Sequence, residues 1–202
     1  RRQPSLPIAT PEEAVIFASI VEKETGRADE RGRVAAVFMN RLKKGMRLQS
    51  DPTVIYGLVG GQGMLGRSIT RADLDQKTPH NTYQIGGLPP TPICNPGRSA
   101  IEATLNPPAT TDLYFVADGT GGHTFSDTLK EHNAAVTNWR KVERERKKDA
   151  APDAAAAPDA IPVPSAAAAA APRVINAAPK AGSTPAAPVA ATTVPLPLRK
   201  PK

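Results

Sequence analysis

Ala14-Val15-Ile16-Phe17-Ala18-Ser19-Ile20-Val21-Glu22-Lys23-Glu24-Thr25 is the stretch on which the fold turns. At about 100° per residue, Ala14, Phe17, Ala18, Ile20 and Val21 share one wide apolar face, while Ser19 and Lys23 point to solvent. That spacing predicts an amphipathic helix. Just upstream, Thr10-Pro11-Glu12-Glu13 reads as an N-cap, a proline at the first helical position and acids in the first turn, so the helix runs from Pro11 to about Thr25 and stops near Gly26. Two further carboxylates ride on its second half. Glu24 falls inside the apolar face, one turn beyond Ile20 and two beyond Phe17, and Glu22 lies near the other edge, above Ala18 and Val15. Burying an acid disfavours its charged form, and a shift of about two units represents roughly 2.7 kcal/mol. A carboxylic acid kept protonated near neutral pH is what a general acid requires. The competing reading of Glu24 is a helix-end residue near water, paired with Arg27 or Arg31.

Outward from this helix, Arg31 to Lys44 carries Val34, Val37, Phe38 and Leu42 at helical spacing, with Gly45 as its stop. Met46-Arg47-Leu48-Gln49 alternates like a short strand. Asp51-Pro52 restarts a helix, with Asp51 as N-cap, through Tyr56 to Gly57. Thr70 to Asp75 reads as a turn or two of helix and Asn81 to Ile85 as a strand. Asn95-Pro96 reads as the start of a helix through Ser99 to Leu105. Leu113 to Ala117 and His123-Thr124-Phe125 flank the turn-forming Asp118-Gly119-Thr120-Gly121-Gly122 as a hairpin, and Leu129 to Lys148 forms a last helix ending in a solvated charge run. Helices mixed with short antiparallel strands, without βαβ alternation, predict a single α+β domain over residues 11–148, preceded by a linker at 1–10.

The chain has 202 residues, and its eight aromatics all precede residue 140, whereas eleven of 22 prolines fall at or after Pro152. Residues 149–202 therefore read as a disordered Ala/Pro-rich tether, with no large side chains to offset the entropy of ordering. The net charge of +7 favours anionic partners such as nucleic acid, a membrane surface or a wall polymer bearing carboxylates. There is no run of about 18 apolar residues that would span a bilayer.

The usual catalytic signatures do not fit. His80, His123 and His132 are dispersed and Cys94 is the single cysteine, so no metal and no cofactor is expected. Gly60 to Gly66 lacks the Gly-Lys-Ser/Thr ending of a phosphate-binding loop, and Cys94 reads as a bystander thiol before a helix. The aromatics are not interleaved with basic residues as nucleic-acid binding would need.

The segments Ala18 to Thr25, Val37 to Leu42, Gly45 to Gly57, Asn81-Thr82-Tyr83, Gly87 to Pro90, Asn95-Pro96-Gly97, Tyr114 to Ala117 and Gly122 to Phe125 closely resemble, in order, the endolytic murein transglycosylase (YceG-like) family. The resemblance covers about residues 12–141 and none of the tail. It implies a lytic transglycosylase that cuts the β-1,4 bond between N-acetylmuramic acid and N-acetylglucosamine, leaving 1,6-anhydromuramoyl ends without consuming water. The second acid of the family's Glu-Lys-Glu motif, Glu24 here, is implied as catalytic, with Glu22 secondary. A hydrolase would want a second carboxylate for a nucleophile or a water. Asp51 is the candidate for it, compatible with capping the helix before Pro52. Gln49, Asp51, Thr53, Tyr56, Asn81 and Tyr83 are expected to line the glycan groove, against strand polarity and core packing as the alternative. His123 is expected to meet the substrate or Glu24, or to be satisfied by backbone.

The resemblance further implies a single membrane anchor and a LysM-like segment upstream of Arg1, a site on the periplasmic face of the bacterial inner membrane, peptidoglycan strands as substrate, and peptidoglycan synthases (penicillin-binding proteins) as partners. The alternative function is a non-catalytic peptidoglycan-binding or synthase-scaffolding module.

Overall fold

A computed structural model describes residues 5–149; the Ala/Pro-rich segment lies outside the described residues. The elements run α1 (Pro11–Glu24), α2 (Arg31–Lys43), α3 (Asp51–Val59), α4 (Arg71–Asp75), α5 (Arg98–Leu105), β1 (Tyr114–Ala117), β2 (His123–Ser126) and α6 (Leu129–Asp149), a mixed α+β arrangement. Helix α1 begins as its sequence dictates. Thr10 accepts from the Glu13 amide while Glu13 reaches back to the Thr10 amide, a reciprocal cap that satisfies two otherwise orphaned donors.

The apolar faces of α1, α2 and α5 close on one another around Phe17, Ile20, Phe38, Met39, Leu48 and Ala100. Phe17 meets Phe38 edge-on at 6.3 Å, and Phe38 meets Phe115 of β1 in the same way at 5.7 Å, so one aromatic chain ties the helices to the hairpin. The segment expected as a linker belongs to this core, because Leu6 and Ile8 are both buried in it. Ser19, expected at the surface, is also fully buried: its hydroxyl donates to the Ile16 carbonyl and accepts from the Ile93 amide. A small hydroxyl with both partners supplied costs little to bury, so the apolar face of α1 is wider than its hydrophobic residues indicate.

The hairpin pairs Tyr114 with Ser126 and Ala117 with His123, antiparallel, as expected from its two apolar arms. In its loop, Gly119 has φ +88° and a Cβ there would stand 2.7 Å from Val142, so both the turn and the approach of α6 require glycine.

Two expected strands are absent. Residues 46–50 have no regular structure, and the alternation there serves a crossing segment in which Leu48 enters the core and the Gln49 amide donates to the Thr82 carbonyl. Residues 81–85 form turns closed on the Asn81 carbonyl by the amides of Gln84 and Ile85. Alternation marks a strand only where a neighbour offers a ladder, and neither segment has one. Helix α3 runs past Gly57 to Val59 and closes on Gly60, while α5 starts at Arg98 after Gly97 rather than at Asn95-Pro96.

Candidate active site

Glu24 is the last residue of α1, and Ser50 and Asp51 open α3, so the site forms where one helix ends against the start of another. The Ser50 hydroxyl donates to Glu24 Oε1 at 2.5 Å. Burial pushes the Glu24 carboxyl up from 4.5 to about 7; the Ser50 hydrogen bond opposes this, the neighbouring Asp51 charge adds to it, and the Arg41 charge opposes it. The C-terminal end of α1 works in the same direction as burial, since it disfavours an anion. Glu24 nonetheless retains part of its surface, as a group that must reach a substrate has to.

Asp51 is the first residue of α3, not its cap. Its Oδ1 accepts from the Tyr83 hydroxyl at 2.5 Å, and burial raises its carboxyl to about 6, against the lowering effect of that hydrogen bond. Tyr83 is in turn held firmly neutral, by burial first and then by the Asp51 and Glu24 charges. The result is two acids that each bind a proton more tightly than in water, each anchored by one neutral hydroxyl.

Beneath them lies a buried hydroxyl lattice. Thr82 Oγ1 accepts from the Ser50 amide at 2.9 Å and lies 2.8 Å from Thr53 Oγ1, which donates to the Ser50 carbonyl at 2.6 Å. Arg41 lies deeper. Its Nε donates to the Leu113 carbonyl at 2.7 Å and its Nη1 to the Leu48 carbonyl at 2.7 Å, with a longer contact of 3.4 Å to Gln49 Oε1. Burial lowers the Arg41 pKa, against the Tyr114, Tyr83 and Glu24 charges. Because carbonyls hold its donors, this cation acts on Glu24 through its field and not through a salt bridge.

The expected groove residues divide accordingly. Glu24, Asp51 and Tyr83 come together, Tyr83 through its hydroxyl on Asp51. Gln49 sits beside them, exposed, with φ +55°, the one non-glycine among the described residues in the left-handed region. Thr53 and Asn81 do not line a groove. Thr53 is fully buried in the hydroxyl lattice, and the Asn81 amide donates to the carbonyls of Leu74 and Gln76, fastening α4 to the turn that carries Tyr83. Tyr56 is half-buried, its ring 4.7 Å from His80, whose Nε2 is 2.8 Å from Thr91 Oγ1. Glu22 leaves the site and accepts from the Gly97 amide at 3.1 Å. His123 meets neither Glu24 nor backbone acceptors; its Nδ1 lies 2.8 Å from Glu30 Oε2 and its amide donates to Glu30 Oε1. Arg27 pairs with Asp29 and reaches Glu30, so it is not the partner of Glu24.

Sequence reasoning missed Ser50, Arg41 and Glu30. Ser-Asp-Pro normally signals a cap, and nothing in it says that the serine faces another helix. No group of three or more His, Cys, Asp or Glu among the described residues is arranged to hold a metal ion.

The sequence model of the YceG-like family matches residues 1–138. An endolytic murein transglycosylase of Bacillus subtilis strain 168 is 43% identical over 130 residues, covering 64% of this chain and 35% of the relative. One from Streptococcus pneumoniae serotype 2 is 37% identical over 133 residues, covering 63% of this chain and 23% of the relative. A crystal structure of a yceG-like protein from Listeria monocytogenes is similar with a TM-score of 0.56 and 46% identity, over 61% of this chain and 39% of the other. The chain thus spans about a third or less of the curated relatives it matches. With the family's pattern running through both helices that build the Glu24 site, the chain belongs to the YceG-like family.

Proposed function

We propose that this chain carries the catalytic site of a peptidoglycan lytic transglycosylase, with Glu24 as its single acid and base. The observation that carries the reading is the Glu24 carboxyl: partly open, hydrogen-bonded by one neutral hydroxyl, and raised to about 7 by burial. Near neutral pH such a group both gives and retakes a proton. Protonated Glu24 donates to the glycosidic oxygen, and the C1–O bond breaks with its electron pair on the leaving oxygen. The C6 hydroxyl oxygen of the muramoyl residue then bonds to C1, and its proton passes to Glu24. The acid is restored, no water is consumed, and a 1,6-anhydromuramoyl end results.

The second carboxylate favours this over hydrolysis. Inverting glycosidases place two carboxyl groups so that one activates a water, and retaining ones use the second as a nucleophile. Asp51 is buried and engaged by Tyr83, so it is not presented for either task. Its charge is suited to stabilising the cationic character that develops at C1.

The substrate is the β-1,4 bond between N-acetylmuramic acid and N-acetylglucosamine of nascent strands, bound along Gln49, Tyr56 and Tyr83. The same reading places the site at the periplasmic face of the inner membrane beside peptidoglycan synthases, held by an anchor outside this chain. Support for that setting is the family and the net charge of +7, suited to an anionic wall polymer. The test is mass analysis of products from uncross-linked glycan, with Glu24→Gln beside wild type. Muramoyl ends one water lighter than hydrolysis products, absent with the variant, are expected. Fully hydrated reducing ends would make the enzyme a muramidase instead. Sacculus binding without soluble fragments would leave a binding or scaffolding module.

A further inference from the structure

We infer that Ser50 is a positioning residue that fixes which oxygen of Glu24 carries the acid proton. The inference rests on the transglycosylase reading and deepens it.

Ser50 occupies the N-cap position of α3, where a serine hydroxyl ordinarily accepts from an amide two or three residues on. It makes no such bond. Its hydroxyl is turned instead to a carboxyl 26 residues earlier in the chain, to which it donates at 2.5 Å. The residue has no freedom to turn elsewhere, because it is almost fully buried and both of its backbone polar groups are held by Thr82 and Thr53. A capping bond worth about 1 kcal/mol is therefore forgone for a contact with Glu24.

The consequence follows from the valence of a carboxylic acid. It has one proton and one carbonyl-like oxygen, and a donor fixed on one oxygen favours the tautomer with the proton on the other. With Ser50 donating to Oε1, the proton belongs on Oε2. Among the described residues Oε2 has no hydrogen-bond partner, and it is not among the fully buried atoms left without one, so the remaining exposure of the carboxyl lies on its side. The acid proton is thereby presented outward. Once it is given up, the same hydroxyl stabilises the carboxylate and leaves Oε2 free to take the C6 proton. Ser50 neither gains nor loses a proton in the cycle.

The test is the pH dependence of kcat and KM on uncross-linked glycan for wild type, Ser50→Ala, Ser50→Thr and Glu24→Gln, with thermal melts of each. In parallel, the Glu24 carboxyl of wild type and Ser50→Ala is titrated by carbon NMR. Ser50→Ala loses no cap, so it is expected to fold. Its kcat should fall about 10- to 100-fold, as for a lost hydrogen bond to a charged group. KM should change little. The alkaline limb of its profile and the Glu24 titration should both move above the wild-type value of about 7, since the donor that favours the anion is gone. Ser50→Thr should restore the limb and most of kcat.

Wild-type kcat and an unmoved limb in Ser50→Ala, with Glu24→Gln inactive, would overturn the inference and leave the functional reading standing. Equal impairment in Ala and Thr variants with an unmoved titration would assign Ser50 to packing. If wild type releases no fragments, the functional reading fails and the inference falls with it.

Discussion

Glu24 on α1 and Asp73 on α4 are two carboxylates packed against protein on helices that each meet α3 and not one another, and they are driven in opposite directions. Asp73, on α4, accepts from Arg67 at 2.5 and 2.8 Å and from both the amide and hydroxyl of Thr70 at 2.7 Å. These bonds, the Arg67 pair foremost, hold its carboxyl far below the usual range. Glu24 has one neutral donor and a nearby cation, Arg41, that makes no ion pair with it, so burial dominates and its carboxyl rises to about 7. Burial alone therefore does not decide the charge of an acid; the number and charge of its donors do. Asp73 has been given enough of them to act as a permanent anion that builds structure. Glu24 has been given just enough to fix its orientation, and the proton remains available for chemistry.

The hardest blow to the comparison is Glu24→Gln. Loss of the acid should lower kcat by at least about 10³-fold, within the range general acid–base catalysis contributes. Stability should move the other way. A carboxyl at 4.5 unfolded and about 7 folded favours folding fully below pH 4.5, and that advantage is lost as pH rises through 7. The ionised residue then costs up to about 3 kcal/mol, which glutamine avoids. Chemical denaturation at pH 4 and pH 8 checks this: the variant should gain on wild type only at the higher pH. An equal gain at both would mean that the Glu24 carboxyl is not held protonated by burial.

Arg41→Met comes next. The substitution keeps a similar length but leaves the Leu48 and Leu113 carbonyls without their donor, each costing about 1–3 kcal/mol when buried. A loss of about 2–5 kcal/mol in denaturant midpoint experiments is expected. Any folded variant should titrate Glu24 above 7, because the opposing cation is gone.

How far this was legible in the sequence differs between its two halves. The Phe17–Ile20–Glu24 repeat placed the acid on the buried face, since helical periodicity projects directly into geometry. The hairpin and most helices were readable for the same local reason. The arrangement around Glu24 was not. Ser50 aims at α1, and Tyr83 at Asp51, through contacts 26 and 32 residues apart that no local pattern encodes. Segments 46–49 and 81–85 were misread as strands because alternation reports one buried side, not the presence of a pairing neighbour.

Tyr83→Phe sharpens the contrast within the site. Removing the hydroxyl takes away the group that lowers Asp51, so the Asp51 carboxyl should rise above its value of about 6 and carry less charge at neutral pH. The Asp51 charge is one of the influences that raise Glu24, so the Glu24 limb should move to lower pH. That is opposite in sign to the shift expected for Ser50→Ala. Activity against pH reads it directly: a modest downward shift is expected for Tyr83→Phe, and an upward shift would break the proposed coupling between the two acids.

Asp73→Asn should have the smallest effect and is the control that the comparison needs. Asparagine keeps one acceptor for Thr70 but forfeits the paired contact to Arg67 and the charge. The cost is roughly that of a weakened cap and a part-exposed ion pair, a few degrees in melting temperature. Its pH dependence is fixed by the sign of the shift. A carboxyl lowered by folding contributes stability above its unfolded value of 3.8 and loses it as pH falls below that, so variant and wild type should differ at pH 7 and converge in strong acid. Glycan cleavage should keep its alkaline limb near 7. A displaced limb would show that Asp73 is felt at Glu24, and the two acids would then be parts of one electrostatic system, not two independent solutions to burying a carboxylate.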